Sequence, residues 1–257
     1  MRLRRRRLEC TIGICVADRE FDDDFHGAMD ACTRTWVVVK NVIDTRRTIF
    51  AALLALQPGL GFAEALVEFD GSWREQGFLR LFSNDYVQRG GQLDVVSDGT
   101  VSLLWRPVDQ SERDAVEARW AWRVQEGVTA TDLTVKGSDD RNLSVYFVFV
   151  DETRADALSG GNARRILREE SARALIYVWG GAHEVGSILP SPYSPRLRTK
   201  VLRTSGSGEH RESVDLAGDF RAAFGDEPGT LIGLAISADS DDTDGRIVAS
   251  VANLVLK

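Results

Sequence analysis

The densest chemistry in this sequence is carboxylate. Asp239, Asp241, Asp242 and Asp244 fall in one short stretch that closes with Gly245. Calcium takes about 6–8 oxygen ligands, and D-x-D spacing in a glycine-containing loop can aim carboxylates at one point. No Glu stands where an EF-hand requires it, so the candidate Ca2+ ligands are Asp239, Asp241 and Asp244. Asp244 reaches the other two only if the chain turns between them, which Gly245 favours. A solvated turn between the last two strands is the plainer expectation for the same residues.

Asp139-Asp140, with Lys136 nearby, forms a second acidic pair. Two carboxylates at a suitable separation can act as general acid and base at a glycosidic bond. Adjacent residues at a strand end point apart, however, so the expectation is a turn in which one carboxylate accepts from backbone N–H groups. A catalytic pair would have to draw in Asp219, Asp239 or Glu212.

The aromatic residues offer a different chemistry. Trp120 and Trp122 share one strand face, as do Tyr177 and Trp179. On an exposed face they would form a stacking platform for sugar rings, and between two sheets they would fill a core. The core is the preferred reading. On the alternative, exposed reading the candidate ligand-binding residues are Trp120, Trp122, Asp139, Asp140, Tyr177, Trp179 and Tyr193.

Material for nucleophilic catalysis is thin. All three cysteines (Cys10, Cys15, Cys32) lie near the start, and His183 and His210 are the histidines of the later chain. There is no G-x-S-x-G elbow and no H-E-x-x-H helix. His183 reads as a loop residue. Thr204-Ser205-Gly206-Ser207-Gly208 lacks the Lys-Ser/Thr and the helix of a phosphate loop, so a hairpin connection is expected there.

These groups must be held by strands. From Leu66 onward, apolar residues recur with period two in short runs bounded by Gly, Asp, Asn, Ser or Pro. Strands are expected at 78–82, 86–87, 92–96, 101–107, 119–125, 144–150, 174–179, 198–204, 212–216, 230–238 and 246–256. Two segments are helix-like: 162–172, and 219–224 with Asp219 as its N-cap. No alternation of strand and helix indicates a parallel α/β sheet. The fold expected is all-β, a two-sheet jelly-roll-like sandwich with one or two short helices.

Before this body stands a leader. Arg46-Arg47 precedes the apolar run Ile49–Leu56, and Ala63-Glu64-Ala65 carries small residues at both positions a signal peptidase reads. The run is broken by Pro58 and Gly59 and is too short for a stable membrane span. Residues 1–44 have no core pattern and read as an over-extended, disordered start, with Met29 or Val42 as alternative beginnings. Residues 45–65 are then a signal peptide, 66–257 a single domain, and the destination periplasmic or secreted. Thr45-Arg46-Arg47 leaves a twin-arginine route open. The net charge of −7 over 257 residues argues against a nucleic-acid partner held by phosphate neutralisation.

Several stretches carry a resemblance. They are Trp120-Ala-Trp-Arg-Val124, Thr131-Asp-Leu-Thr-Val-Lys-Gly-Ser-Asp-Asp140, Val145-Tyr-Phe-Val-Phe149 and Ala174-Leu-Ile-Tyr-Val-Trp-Gly180. Ser191-Pro-Tyr193, Asp219-Phe-Arg-Ala-Ala-Phe-Gly225 and Asp239-Ser-Asp-Asp-Thr-Asp244 follow. In this order they resemble the bacterial family of predicted secreted proteins known as domain of unknown function 3047. The chain departs from that pattern at Ser144, His210 and Val214. The resemblance implies an exported all-β domain and brings no established activity. The function expected from the residues is non-catalytic binding of an envelope or extracellular glycan. The alternative is a carbohydrate-active hydrolase or lyase that uses the clustered carboxylates.

Overall fold

The computed structural model describes residues 64–77, 83–161 and 163–257. By its contacts the chain divides into Met1–Gly59 and Leu60–Lys257, and every described residue belongs to the second unit. The expected strand at 78–82 and nearly all of the expected leader lie outside the described residues.

Thirteen strands are described. They run β1 (Ala65–Leu66), β2 (Arg74–Gly77), β3 (Asp85–Gln88), β4 (Gln92–Asp98), β5 (Val101–Pro107) and β6 (Glu117–Glu126). After these come β7 (Arg141–Val150), β8 (Arg173–Trp179), β9 (Ile188–Pro190), β10 (Leu197–Arg203), β11 (Gly208–Asp215), β12 (Thr230–Asp239) and β13 (Arg246–Leu256). The helices are α1 (Glu152–Leu158), α2 (Ala163–Leu167) and α3 (Leu216–Phe224). One sheet has the order β11-β6-β13-β4-β3, with β1 paired to β13. The other has the order β2-β5-β12-β7-β8-β10-β9. The two pack as a sandwich, as the strand periodicity requires.

The sheets differ in how they are buried, and their sequences differ accordingly. β6 alternates strictly. Ala118, Trp120, Trp122 and Val124 face the core, while Arg119, Arg123 and Gln125 face water. β8 and β12 are buried along nearly their whole length, so both read as mainly apolar runs without strict alternation. Leu175, Tyr177 and Trp179 enter the main core, whereas Ala174, Ile176 and Val178 point to the opposite face. That outer face is covered in part by α1 and α2, through Ala155, Leu158, Ala163 and Ile166.

One pair departs from the antiparallel pattern, since β8 and β10 run parallel. Parallel neighbours need a long crossover. Here residues 180–196 supply it, passing through β9 and carrying Ser191 and Tyr193 over the outer face.

The aromatic residues expected in the core are there. Trp120 and Trp122 meet edge to face at 5.5 Å, Trp122 lies 5.6 Å from Trp179, and Trp120 lies 5.7 Å from Tyr177. Helix α3 starts earlier than the sequence suggested. Its N-cap is Asp215, whose side chain accepts from Gly218 N, and Asp219 sits in the first turn. Helix α1 was not expected, because Glu152–Leu158 shows only two buried apolar positions, Ala155 and Leu158.

Trp122 carries both packing and polar roles, since its Nε1 donates to Glu212 Oε1 at 2.9 Å. Replacing it with Ala should cost about 3–5 kcal/mol. The denaturant midpoint of Trp122→Ala measures this, and a midpoint near wild type would contradict the packing described.

Candidate functional site

The outer face of the seven-stranded sheet holds a groove of about 600 Å³. Leu103, Trp105, Tyr146, Val148 and Ile176 line its apolar part. The Trp105 ring packs over Gly233 of β12, two residues along from its own cross-strand partner Ala235. A β-carbon at Gly233 would come within 1.6 Å of the indole ring. Where β7 begins and β12 ends, the lining becomes polar and includes Asp139, Arg141, Tyr193, Asp239, Asp241 and Asp242.

Arg141 organises this polar end. Its Nη1 donates to the Asp139 carbonyl at 2.7 Å and forms ion pairs with Asp139 at 3.2 Å and Asp239 at 3.1 Å. Its Nε donates to Ser144 Oγ at 2.8 Å and its Nη2 to Tyr146 Oη at 3.0 Å. Burial disfavours the guanidinium charge, but Tyr146, Asp239 and Asp139 outweigh burial and hold the group protonated. Tyr193 arrives from the crossover segment, and its hydroxyl donates to Asp139 Oδ1 at 2.8 Å. Partial burial and then that bond to Asp139 raise the Tyr193 phenol above its usual range, so it stays a donor. Lys136 lies over the Tyr193 ring, 5.5 Å from its centre.

Asp239 has the opposite character. Burial is the main cause that pushes its carboxyl up to about 8. Arg141 opposes the shift, and the Asp140 and Asp241 carboxylates add to it. One guanidinium shared between two carboxylates does not offset this desolvation.

The adjacent pair Asp139-Asp140 separates as strand geometry requires. Asp139 faces the groove. Asp140 is fully buried and turns beneath the β12–β13 loop, where Oδ2 accepts from Thr243 N at 2.7 Å and Thr243 Oγ1 at 2.6 Å. Its Oδ1 accepts from Asp242 N at 3.2 Å. The expected turn with a carboxylate on backbone N–H groups is thus formed by Asp140.

The expected site residues divide into three groups. Asp139 and Tyr193 meet in the groove, with Asp239 and Asp241 beside them. Trp120, Trp122, Tyr177 and Trp179 are each no more than 2% exposed, inside the sandwich and out of reach of any ligand. As a sugar platform they are excluded. Asp244 also stands apart, with φ 51°, and its Oδ1 points at Gly99, where a β-carbon would lie 2.8 Å away. Among the described residues, the acidic group whose oxygens converge is Asp140, Asp241 and Asp242, not Asp239, Asp241 and Asp244.

Two carboxylates considered as catalytic partners are used elsewhere. Glu212 binds Trp122 and both Nε and Nη2 of Arg203. Asp219 accepts from Tyr177 Oη at 2.8 Å and pairs with Lys200 at 2.5 Å. His183 is a loop residue whose Nε2 lies 3.2 Å from the donating Leu133 N and 3.1 Å from Asp132 Oδ1.

Arg141 and Trp105 were not anticipated from the sequence. The signal for Arg141 was its place between an Asp-Asp pair and an apolar strand, where a buried countercharge is required.

Removing the Asp140 carboxylate tests its hold on the loop. Hydrogen bonds to a charged group contribute about 1.5–3 kcal/mol, so Asp140→Ala should lower stability by roughly 3 kcal/mol. Amide exchange at Asp242 and Thr243 should also quicken. Unchanged exchange at those two amides would show that the loop orders itself without Asp140.

No curated protein matches the chain. Among solved structures it is similar to a loop-swap mutant of Xyn11A from Necallimastix patriciarum. Identity is 14%, the match covers 77% of this chain and 97% of the other, and the TM-score is 0.34. It is also similar to the xyloglucanase domain of NopAA, a type three effector from Sinorhizobium fredii, in complex with cellobiose. There identity is 8%, coverage 76% and 98%, and the TM-score 0.38. A family model described as "Protein of unknown function (DUF3047)" matches residues 71–255, including the groove and the acidic loop, and the chain belongs to that family.

Proposed function

We propose that this is an exported binding protein whose outer groove takes a glycan of the envelope or extracellular space. The observation that carries the reading is the junction of Tyr193 and Asp139 within the groove. Tyr193 is 56% exposed while its hydroxyl is held by Asp139. A ring fixed in this way offers a flat apolar face without the entropy loss of a mobile side chain. Beside it, Asp139, Asp241 and Lys136 supply acceptors and a donor for hydroxyl groups. An apolar wall with a few convergent polar groups is the usual make-up of a small-molecule site.

A second reading, glycoside hydrolysis, is favoured by Asp239. A carboxyl pushed well above the ordinary carboxylate range by burial can protonate a leaving oxygen, and Asp139 lies across the same guanidinium as the second carboxylate. Export is supported by the order of basic flank, apolar run and Ala63-Glu64-Ala65. No helix among the described residues is long and apolar enough to cross a membrane.

A glycan array with the wild type, Tyr193→Ala and Arg123→Ala tests the binding reading. Arg123 lies on the water-facing side of the other sheet and serves as the control. Binding should fall at least about tenfold in Tyr193→Ala, the loss of one stacked aromatic contact of about 1.4 kcal/mol, and persist in Arg123→Ala. Equal binding by both variants would remove the groove from consideration. Release of reducing ends from the bound glycan, abolished in Asp239→Asn, would favour hydrolysis over binding.

Export makes its own prediction, a mature protein beginning at Leu66. Val67, Phe69 and Trp73 are buried in the sandwich, so that chain keeps every core residue described. N-terminal sequencing of the mature protein checks this, and a terminus at Met1 or Met29 would contradict it.

A further inference from the structure

The outer groove changes character along its strands, one cross-strand row at a time. The first row joins Val101, Asp239 and Arg141, with Asp139 and Tyr193 beside it. The next joins Leu103, Ser237, Ser144 and Val178, and the third joins Trp105, Ala235, Tyr146 and Ile176. In the fourth, Gly233, Val148, Ala174 and Leu197 lie side by side. From Gly233 to Asp239 along β12 the rows span about 20 Å at the rise of a strand.

Beyond the first row the lining has little to offer a sugar. Ser144 Oγ and Tyr146 Oη accept from Arg141, and Ser237 Oγ lies 3.3 Å from Tyr146 Oη, so these hydroxyls are already engaged. Ala163, Ile166 and Ala172 pack with Trp105, Ala235 and Val148 over the far rows. A saccharide hydroxyl buried there would exchange water for no partner, whereas an apolar chain gains from the same burial. Charge divides the two ends as well. At the first row Asp139, Asp241 and Asp242 outnumber Lys136, a setting that accepts hydroxyl donors and repels an anionic head. Arg173 and Arg196, which precede Ala174 and Leu197, stand at the opposite end.

We propose that the glycan taken by the groove carries a single long alkyl or acyl chain. Its uncharged sugar lies at Tyr193 and Asp139, and its chain runs along Leu103, Trp105, Val148 and Ala174. This rests on the groove being a glycan site and adds the other half of the ligand. The groove volume of about 600 Å³ falls within the roughly 300–1,000 Å³ of small-molecule sites, so head and chain share one cavity.

Calorimetric titration of the full-length protein with maltose, octyl maltoside and dodecyl maltoside, each below its micellar concentration, tests the proposal. Affinity should rise about fourfold for each methylene buried between octyl and dodecyl. Dodecanoate, which joins a similar chain to an anionic head, should bind at least about tenfold more weakly than dodecyl maltoside. Tyr193→Ala should weaken maltose and both maltosides alike, by about tenfold. Val148→Asp sets a charge among the far rows and should remove the gain from octyl to dodecyl while maltose binds as to wild type. Val148→Thr, of the same shape, should remove part of that gain without the burden of a buried charge. In the wild type, no gain from the chain would overturn the proposal, and maltose binding that still needs Tyr193 would then leave the glycan reading standing. Dodecanoate binding as tight as dodecyl maltoside would also overturn it, since the head would then lie at Arg173 and Arg196. Alkyl maltoside binding unchanged in Tyr193→Ala would overturn both readings.

Discussion

The guanidinium of Arg141 is the charge around which the outer face is built. Taking such a group out of water costs several kcal/mol unless its donors all find acceptors. Here Nε, Nη1 and Nη2 are each bonded, to Ser144, to Asp139 and Asp239, and to Tyr146. That requirement fixes where β7 begins, where β12 stops and how Tyr146 leans. Strict alternation would send Arg141 into the core with Leu143 and Val145. Between Arg141 and Ser144, however, β7 carries one more residue than β12, whose Ser237 and Asp239 lie opposite. A bulge of this kind re-aims a side chain, and it places Arg141 on the groove face with Ser144 and Tyr146. The shifted register and the buried charge are the same feature seen from the backbone and from the side chain.

Burial on both sides of the second sheet then shapes the groove. Helices α1 and α2 cover only part of the outer face, and the crossover that joins the parallel strands β8 and β10 covers another part. The groove is what remains between them. Its apolar lining is therefore a by-product of strands buried on two faces, and its polar end lies where those strands stop. Among the described residues the opposite sheet has no such covering helices on its outer face. It presents Arg119, Arg123 and Gln125 to water in strict alternation.

Periodicity made most of the sandwich legible. The bounds of β5 and β13 follow directly from apolar runs closed by Gly or Pro, and the burial of Trp120 and Trp122 follows from their shared face. Short edge strands escaped, because Arg74–Gly77 and Ile188–Pro190 carry too few residues for a period to register. The groove was less legible. Tyr193 and Asp139 were marked by type alone, and their meeting depends on a parallel crossover that no local pattern encodes. Asp244 was grouped with Asp239 and Asp241 on loop spacing. Its left-handed backbone, opposite Gly99, sends it elsewhere, a conformation that D-G dipeptides allow but do not announce.

The pair Asp139-Asp140 shows how one local rule joins two sites. Successive residues at a strand end point to opposite sides. One carboxylate therefore reaches Arg141 and Tyr193 in the groove, while its neighbour holds Asp242 and Thr243 in the loop. No hinge or flexible side chain lies between them, only the peptide link. A shift of the loop that moves Asp140 must also move Asp139, and with it the hydroxyl that holds the Tyr193 ring. Asp239 closes the same circuit from β12, bonded to Arg141 and lying against Asp241. The loop and the polar end of the groove are thus built from one set of neighbouring carboxylates, Asp139, Asp140 and Asp239.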